Sequence, residues 1–234
     1  MKRLFCTLLL AISVQFLFAN QPYHFSHLSV KDGLSQLNVT CIYQDKLGYI
    51  WFGTRNGLNK FNGNSFEVYW NHADDPHSIS SNIINCMAED AEGNLWIGTE
   101  NGLNRLDKNK NEFKRYHINQ QENKDKNKIT SLCLDQQGTL WVGAASEGLF
   151  AYTPQGDSLK NISTKELKGN WVNDIIERDH KLYIASYNRG LLIYDLQQQA
   201  VVRSFQQNSE SLPIPSNRIR KVHIDRKGNI WLGN

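Results

Sequence analysis

One unit of about 45 residues recurs along the chain, and each copy carries an aromatic residue at the same point. Successive aromatic markers are separated by 45, 45, 42 and 48 residues. Self-similarity at such a period is typical of folds in which each unit buries its apolar face against its neighbours. The markers are Trp51, Trp96, Trp141, Tyr183 and Trp231.

Within each copy, turn residues cut the chain into short apolar segments that are too brief for helices. An Asp followed three residues later by Gly predicts a tight hairpin, since Asp bonds turn amides and Gly adopts a positive φ. A Trp followed two residues later by Gly then indicates a strand on which a neighbouring sheet lies close. We interpret these recurring residues as structural: Asp45, Gly48, Trp51, Gly53, Asp90, Gly93, Trp96, Gly98, Asp135, Gly138, Trp141, Gly143, Tyr183, Asp225, Gly228 and Trp231.

Four short strands per unit of this length predict an all-β protein, a β-propeller of four-stranded blades. A linear solenoid is the alternative, although its coils are generally shorter. About five blades are expected, which leaves the ring incomplete, and Phe25–Leu28 resembles a fourth strand without its own blade. The predicted propeller covers residues 20–234, with repeats near 37–80, 81–127, 128–170, 171–216 and 217–234.

The fourth copy departs from the pattern. Val172 and Ile175 fit its first strand only if the following hairpin is one residue shorter, which places Arg178 where Asp is expected. Tyr183 replaces Trp, and Ala185 replaces Gly. We expect a blade at the same place in the ring with a differently capped turn.

The first residues have the layout of a secretory signal peptide. Lys2 and Arg3 precede the apolar run Leu4–Phe18, and Ala19 offers a small residue for cleavage, so we predict a signal peptide over residues 1–19. The run is shorter than the roughly 20 residues that span a bilayer. Because Leu17 is larger than the residue usually found two places before the cut, an uncleaved anchor remains the alternative. We expect an exported, periplasmic protein.

Charge and composition exclude several kinds of function. Without Lys2 and Arg3, 24 basic residues face 23 acidic ones, so no strong field attracts nucleic acid. The remaining cysteines, Cys41, Cys86 and Cys133, have no disulfide-framework or metal-site spacing. We predict no metal, no cofactor and no catalytic residue. His72 and His77, with two aspartates between them, share one connection and make only a weak metal candidate.

Two copies carry a longer shared pattern. The run Asp-x-x-Gly-x-(Ile/Leu)-Trp-x-Gly-Thr-x-x-Gly-Leu-Asn occurs at Asp45–Asn59 and again at Asp90–Asn104. It resembles the two-component regulator propeller repeat, and His24–Val39 is similar to the beginning of the sensors that contain it. The resemblance covers Tyr23–Asn234 and implies seven blades per ring.

The resemblance also implies a function. Such propellers form the periplasmic sensor region of hybrid two-component histidine kinases, which respond to oligosaccharides. An immunoglobulin-like domain, a membrane helix tethering the protein to the inner membrane and an output module are expected downstream, and a homodimer of the full receptor stays open. The chain itself is expected not to be an enzyme. Alternatives are a diguanylate cyclase-type receptor, a secreted carbohydrate- or protein-binding propeller, and, least favoured, a propeller enzyme.

Recognition is expected in the parts that differ between copies, because loops on a rigid scaffold carry binding residues. The connections between blades and the turns between second and third strands share one face of a propeller. Polar side chains there could hydrogen-bond a sugar, although a solvated turn is the simpler interpretation of any one of them. The candidate ligand-binding residues are Arg55, Asn56, Glu100, Asn101, Glu147, Asn188 and Arg189.

Overall fold

A computed structural model describes residues 25–118, 126–154, 156–162, 164–210 and 212–234. The described chain is almost entirely β-structure, with four four-stranded antiparallel sheets and a final two-stranded one. The first strands of successive sheets lie side by side, so the sheets radiate from a common axis. This confirms the predicted propeller with an unclosed ring. The predicted signal peptide lies outside the described residues.

Each sheet is a blade whose strands follow one another in chain order from the axis outward. Blade 1 contains β1 (Val39–Gln44), β2 (Ile50–Thr54), β3 (Gly57–Phe61) and β4 (Phe66–Tyr69). Blade 2 contains β5 (Ile84–Glu89), β6 (Leu95–Thr99), β7 (Gly102–Asp107) and β8 (Glu112–Tyr116). Blade 3 contains β9 (Ile129–Leu134), β10 (Leu140–Ala144), β11 (Gly148–Thr153) and β12 (Ser158–Asn161).

The last two blades continue the same order. Blade 4 contains β13 (Val172–Arg178), β14 (Lys181–Ser186), β15 (Leu191–Asp195) and β16 (Ala200–Phe205). Blade 5 contains β17 (Lys221–Ile224) and β18 (Ile230–Gly233). A single 3-10 turn, Val30–Asp32, precedes blade 1 and is capped by Ser29. Phe25–Leu28 forms no strand, and Phe25 is 95% exposed.

The recurring Asp organises the first hairpin of its blade. One carboxylate oxygen of Asp45 accepts the backbone N–H groups of Leu47 and Tyr49, both at 3.0 Å. Its other oxygen accepts the indole N–H of Trp51 at 2.9 Å. The same indole bond recurs from Trp96, Trp141 and Trp231 at 2.8, 2.9 and 3.2 Å. One side chain therefore fixes both the turn and the position of a large ring.

The recurring Gly allows the next blade to approach. A Cβ placed on Gly53 would lie 2.5 Å from Cys41 Sγ and 2.8 Å from Ile84 Cγ2, the latter on the inner strand of blade 2. Gly98 and Gly143 meet the following inner strand in the same way, at Ile129 and Val172. Such separations are below van der Waals contact, so only glycine fits. This explains why the residue follows the Trp in each of these blades.

A row of side-chain hydrogen bonds joins the inner strands around the axis. Thr40 Oγ1 donates to the carbonyl of Ile84 at 2.6 Å, and Asn85 Nδ2 donates to the carbonyl of Ile129 at 2.8 Å. Thr130 continues the series to Val172, and Asn173 reaches Ile219 at 2.8 Å. Donor and acceptor always belong to successive blades. Short polar side chains at this repeat position therefore connect the blades as apolar packing does.

Blade 4 shows the predicted shorter hairpin. Arg178 pairs with Lys181, leaving a two-residue turn in which Asp179 and His180 have φ of 52° and 59°. Two positive φ values match the turn type whose twist suits a hairpin. The Arg178 guanidinium donates to the carbonyl of Asp225 in blade 5 at 2.6 Å. In blade 4, the residue at the position of the recurring Asp therefore contacts the neighbouring blade.

Blades 1 and 2 each contain a polar network of the same kind, which the sequence patterns do not predict. Ser35 Oγ lies 3.0 Å from Thr54 Oγ1, and the Ser35 N–H donates to Asn59 Oδ1 at 2.8 Å. Ser80, Thr99 and Asn104 repeat this arrangement 45 residues later. Since Thr54 and Asn59 are fully buried, these bonds satisfy polar groups inside the blade.

Candidate functional site

Two sets of residues surround one end of the axis. The leading residues immediately precede the first buried residue of an inner strand: Ile83, Lys128, Trp171 and Arg218. The turn residues begin the turn between the second and third strands: Arg55, Glu100, Ala145 and Tyr187. Backbone hydrogen bonds of 3.0–3.1 Å join turn and leading residues of one blade, from Glu100 to Ile83, Ala145 to Lys128 and Tyr187 to Trp171.

Side chains of these sets also meet between neighbouring blades. Glu100 of blade 2 accepts a hydrogen bond from Lys128 Nζ of blade 3 at 2.9 Å. Tyr187 of blade 4 lies 5.1 Å below the guanidinium of Arg218, which leads into blade 5. The turn residue of one blade therefore contacts the leading residue of the next. Two such pairs, Glu100 with Lys128 and Tyr187 with Arg218, lie at the rim of the axis.

A small turn residue, Ala145, leaves a cavity at the rim of the axis. Ala145 stands where blades 2 and 4 carry Glu100 and Tyr187, and it leaves space beside Trp171. This rim cavity has a volume of about 520 Å³, which is within the range of small-molecule sites. It is lined by Asn71, Ser80, Ser81, Asn82, Ile83, Glu100, Asn101, Lys128, Ala145, Ser146 and Trp171.

The cavity joins an aromatic surface to charged and amide groups. Trp171 remains 36% exposed, and its ring lies 5.3 Å from that of Tyr187 with an angle of 50° between the planes. Opposite it, Glu100 accepts from Lys128 at 2.9 Å and from Asn85 Nδ2 at 3.2 Å. A flat apolar face beside fixed donors and acceptors binds ligands that have both apolar and hydroxylated faces.

A second cavity, the axial cavity, has a volume of about 430 Å³ and lies along the axis at a deeper level than the first. Both are lined by Lys128 and Trp171, so one ligand could occupy the two together. Inner-strand residues form the deeper walls, and Tyr187, Arg220 and Lys221 lie on the blade 4 and blade 5 side. The site thus extends from the rim into the axis.

The structure brings together only part of the predicted ligand-binding set. Glu100 and Asn101 line the rim cavity, and Ser146, which also lines it, directly precedes Glu147. Glu147 lies 3.9 Å from Lys126. The other four candidates are exposed turn residues that do not line this cavity: Arg55, Asn56, Asn188 and Arg189.

Three residues that line the cavity are absent from the predicted ligand-binding set, although Lys128 ends a connection between blades where recognition was expected: Lys128, Ala145 and Trp171. Their signal lies in departures from the repeat. Trp171 precedes an inner strand where other copies have Ile83 or Lys128, and Ala145 replaces a larger turn residue. Aligning the blades at the leading and turn positions would have found them, whereas the search for polar turn residues could not.

Other kinds of site find little support in the described residues. Within them, no three His, Cys, Asp or Glu side chains converge as metal ligands. Burial raises the pKa of Cys41 to about 11, so this thiol is far from a reactive thiolate at neutral pH. No described helix is long and apolar enough to cross a bilayer.

Comparison with known proteins adds family information. A family model described as "Two component regulator propeller" matches residues 33–56, 78–101 and 124–146. Each match runs from the approach to an inner strand as far as the turn residues at the rim. The matched units are therefore the beginnings of blades 1, 2 and 3.

Individual relatives include a histidine kinase and the extracellular domain of a hybrid two component system. Histidine kinase P4 of Formosa agariphila is 48% identical over 71 residues, which are 30% of this chain and 5% of that protein. The extracellular domain of the hybrid two component system BT3049 from B. thetaiotaomicron superposes with a TM-score of 0.75 and 30% identity. It covers 91% of this chain, which in turn spans 29% of that domain.

A second extracellular domain, that of BT4673 from the same organism, superposes with a TM-score of 0.70 over 92% of this chain and 27% of its own length. At 19% identity it shows the fold alone. The chain therefore spans less than a third of each of these relatives.

Proposed function

Because the two-component regulator propeller model matches three of its repeats, we propose that the chain is the sensor propeller of an exported two-component signalling receptor and binds an oligosaccharide at the rim cavity. The observation that carries this is the opening beside Trp171, where Ala145 occupies the turn position that is Glu100 in blade 2 and Tyr187 in blade 4. The chain's own role is to bind and position a ligand, and the chemistry of signalling belongs to another part of the receptor.

The lining suits a carbohydrate. Pyranose rings have an apolar face that packs on indole, while their hydroxyl groups need both donors and acceptors. Trp171 supplies the aromatic face, Glu100 accepts, and Asn101 both donates and accepts. The volume of about 520 Å³ accommodates a small oligosaccharide rather than a folded protein.

Ligand binding would act on the receptor through the relation between blades. The cavity is lined by residues of blades 2 and 3 and by Trp171, which leads into blade 4, so a ligand there contacts three rigid sheets together. A ligand shifts an equilibrium between two arrangements only if it binds them with different affinity. We propose that the bound oligosaccharide favours one relative position of blades 3 and 4, and that the domains following the propeller respond to that position.

The experiment is calorimetric titration of the full chain with a panel of defined oligosaccharides. Trp171→Ala is expected to weaken binding of the active glycan by about tenfold or more, since an aromatic anchor contributes about 2 kcal/mol. Trp70→Ala removes an exposed indole that does not line the cavity and serves as the control. Folded protein that binds no glycan, or binds one equally well after Trp171→Ala, would overturn the proposal.

Asn101 and Asn56 provide a second matched pair. Both follow a turn residue, and their backbone N–H groups donate to Thr99 and Thr54 at 3.1 and 3.0 Å. Only Asn101 lines the cavity. Asn101→Ala should therefore reduce affinity by several-fold to tenfold, as for one lost hydrogen bond, whereas Asn56→Ala should leave it unchanged.

A further inference from the structure

Arg220 occupies, on blade 5, the repeat position whose side chains join the inner strands of blades 1 to 5 by hydrogen bonds. At the same repeat position, Thr40, Asn85, Thr130 and Asn173 all donate to the carbonyl of the following inner strand. Arg220 is a long cation instead. In the described part of the chain it is hydrogen-bonded only through its backbone N–H, to Gly233 O at 2.7 Å. Its guanidinium is exposed and lines the axial cavity.

The axial cavity has more positive than negative charge. Lys128, Arg220 and Lys221 line it, and no carboxylate is among its lining residues. Two of these cations form ion pairs with carboxylates that do not line the axial cavity: Lys128 with Glu100 at 2.9 Å and Lys221 with Asp174 at 3.1 Å. Arg220 has no such carboxylate in the described residues.

A second cation lies against Tyr187, which lines the same cavity. Arg218 is exposed and stands 5.1 Å over the ring of Tyr187, whose own ring faces Trp171. Contact with the ring orients the guanidinium without neutralising its charge. Arg218 and Arg220 are two residues apart, so two unneutralised guanidinium groups stand on the blade 5 side of the aromatic pair.

From this arrangement we propose that the bound oligosaccharide is acidic, and that Arg220, assisted by Arg218, binds its anionic group while a sugar ring packs on Trp171. A guanidinium binds a carboxylate or sulfate through two parallel hydrogen bonds, which adds direction to the attraction. The inference rests on the proposed function and specifies its substrate class. Sugar carboxylates and sugar sulfates share this chemistry, and the probes must distinguish them.

The test titrates the full chain with three probes of similar length: oligogalacturonides, which carry carboxylates, chondroitin sulfate oligosaccharides, which also carry sulfate, and neutral cello-oligosaccharides. At least one acidic probe is expected to bind at least tenfold more tightly than the neutral one. The preferred acidic probe identifies whether carboxylate suffices or sulfate is required. Raising the salt concentration should weaken acidic binding and leave neutral binding unchanged.

Arg220→Gln removes the charge while keeping a polar side chain, and should weaken acidic binding by about tenfold or more, as for a lost charged hydrogen bond. Arg226→Gln is the control, because Arg226 is exposed in the hairpin turn at the opposite end of the same blade. Equal loss in both variants would overturn the proposal.

The outcomes separate this inference from the proposed function. Neutral glycans that bind as well as acidic ones, in a manner dependent on Trp171 but not on Arg220, would overturn the acidic ligand and leave the sensor function standing. Failure of all three probes to bind, with the same folded protein binding another neutral glycan, would also overturn it. Acidic binding that is lost in Arg220→Gln and kept in Arg226→Gln would support it.

Discussion

Trp141 and Asp135 are joined by a hydrogen bond of 2.9 Å from the indole Nε1 to Oδ2, across one hairpin of blade 3. The other oxygen of Asp135 accepts the backbone N–H groups of Gln137 and Thr139, both at 2.9 Å. Trp141 also packs in the apolar cluster between blades 3 and 4. A single pair of residues therefore links the turn of one blade to its packing on the next.

Trp141→Phe should lower the free energy of unfolding by about 1–3 kcal/mol, because it leaves a buried carboxylate oxygen without its donor and reduces the apolar contact. Trp231→Phe is the matched control. It makes the equivalent bond at 3.2 Å, but Trp231 is 62% exposed, so the expected change is below about 0.5 kcal/mol. Chemical denaturation measures both, and equal losses would contradict the structural role.

Gly98→Ala should destabilise the protein by about 1–3 kcal/mol, the usual effect of overpacking. The added Cβ would stand 2.6 Å from Ile129 Cγ2 on the next inner strand. Gly233 occupies the same repeat position in blade 5, where the nearest atom to an added Cβ is 3.6 Å away. Gly233→Ala should thus be nearly neutral, and thermal unfolding of the two variants tests whether the close approach of blades requires the glycine.

Asp157 should make stability dependent on pH in acid. Hydrogen bonds from Lys114 and Tyr116, then from Tyr152, lower its pKa from 3.8 to about 2. Since the folded-state pKa is below the unfolded one, the stabilisation is present above about pH 4 and is lost as the pH falls through about 2. Melting curves of wild type and Asp157→Asn should differ at pH 6 and converge near pH 2.

Asp74→Asn is the control for this measurement, because Asp74 is an exposed residue of the connection between blades 1 and 2. Its melting temperature should stay close to that of wild type throughout. A difference between wild type and Asp157→Asn that persisted unchanged at pH 2 would show that the carboxylate charge is not the source of the effect.

The pair formed by Glu100 and Lys128 should contribute little to stability. Its side chains are 40% and 33% exposed, and exposed ion pairs generally contribute about 0–1 kcal/mol. A double-mutant cycle with Glu100→Gln and Lys128→Gln, followed by denaturation, measures the coupling directly. A coupling well above 1 kcal/mol would contradict this expectation and would mean that the ion pair stabilises the contact between blades 2 and 3.

The fold was predictable because the repeat encodes local geometry in a few residues. Asp45, Gly48 and Trp51 specify a hairpin and a buried ring, and their recurrence specifies the packing of blade on blade. The shortened hairpin after Arg178 followed from the same spacing. The end of the axis was less predictable, because the placement of Trp171 and Arg220 beside the cavities depends on the arrangement of blades, and sequence spacing does not show which residues of different blades face one another.

The network around Ser35 was also missed, although Ser80 repeats it 45 residues later. Its partners Thr54 and Asn59 belong to the shared run Asp45–Asn59, whose spacing alone does not indicate that they bond to Ser35. Their burial and mutual bonds depend on the approach of the chain before blade 1 to the second and third strands, which is a tertiary contact. No turn or periodicity rule describes it.

The central claim is that the small side chain of Ala145 opens a ligand site beside Trp171. Ala145→Tyr gives blade 3 the turn residue that blade 4 already has in Tyr187, so it should fill the cavity while the fold is retained. Calorimetric titration of this variant with the oligosaccharide that binds the wild type is the most direct measurement. We expect a folded variant with no detectable binding, whereas unchanged affinity in the folded variant would contradict the claim.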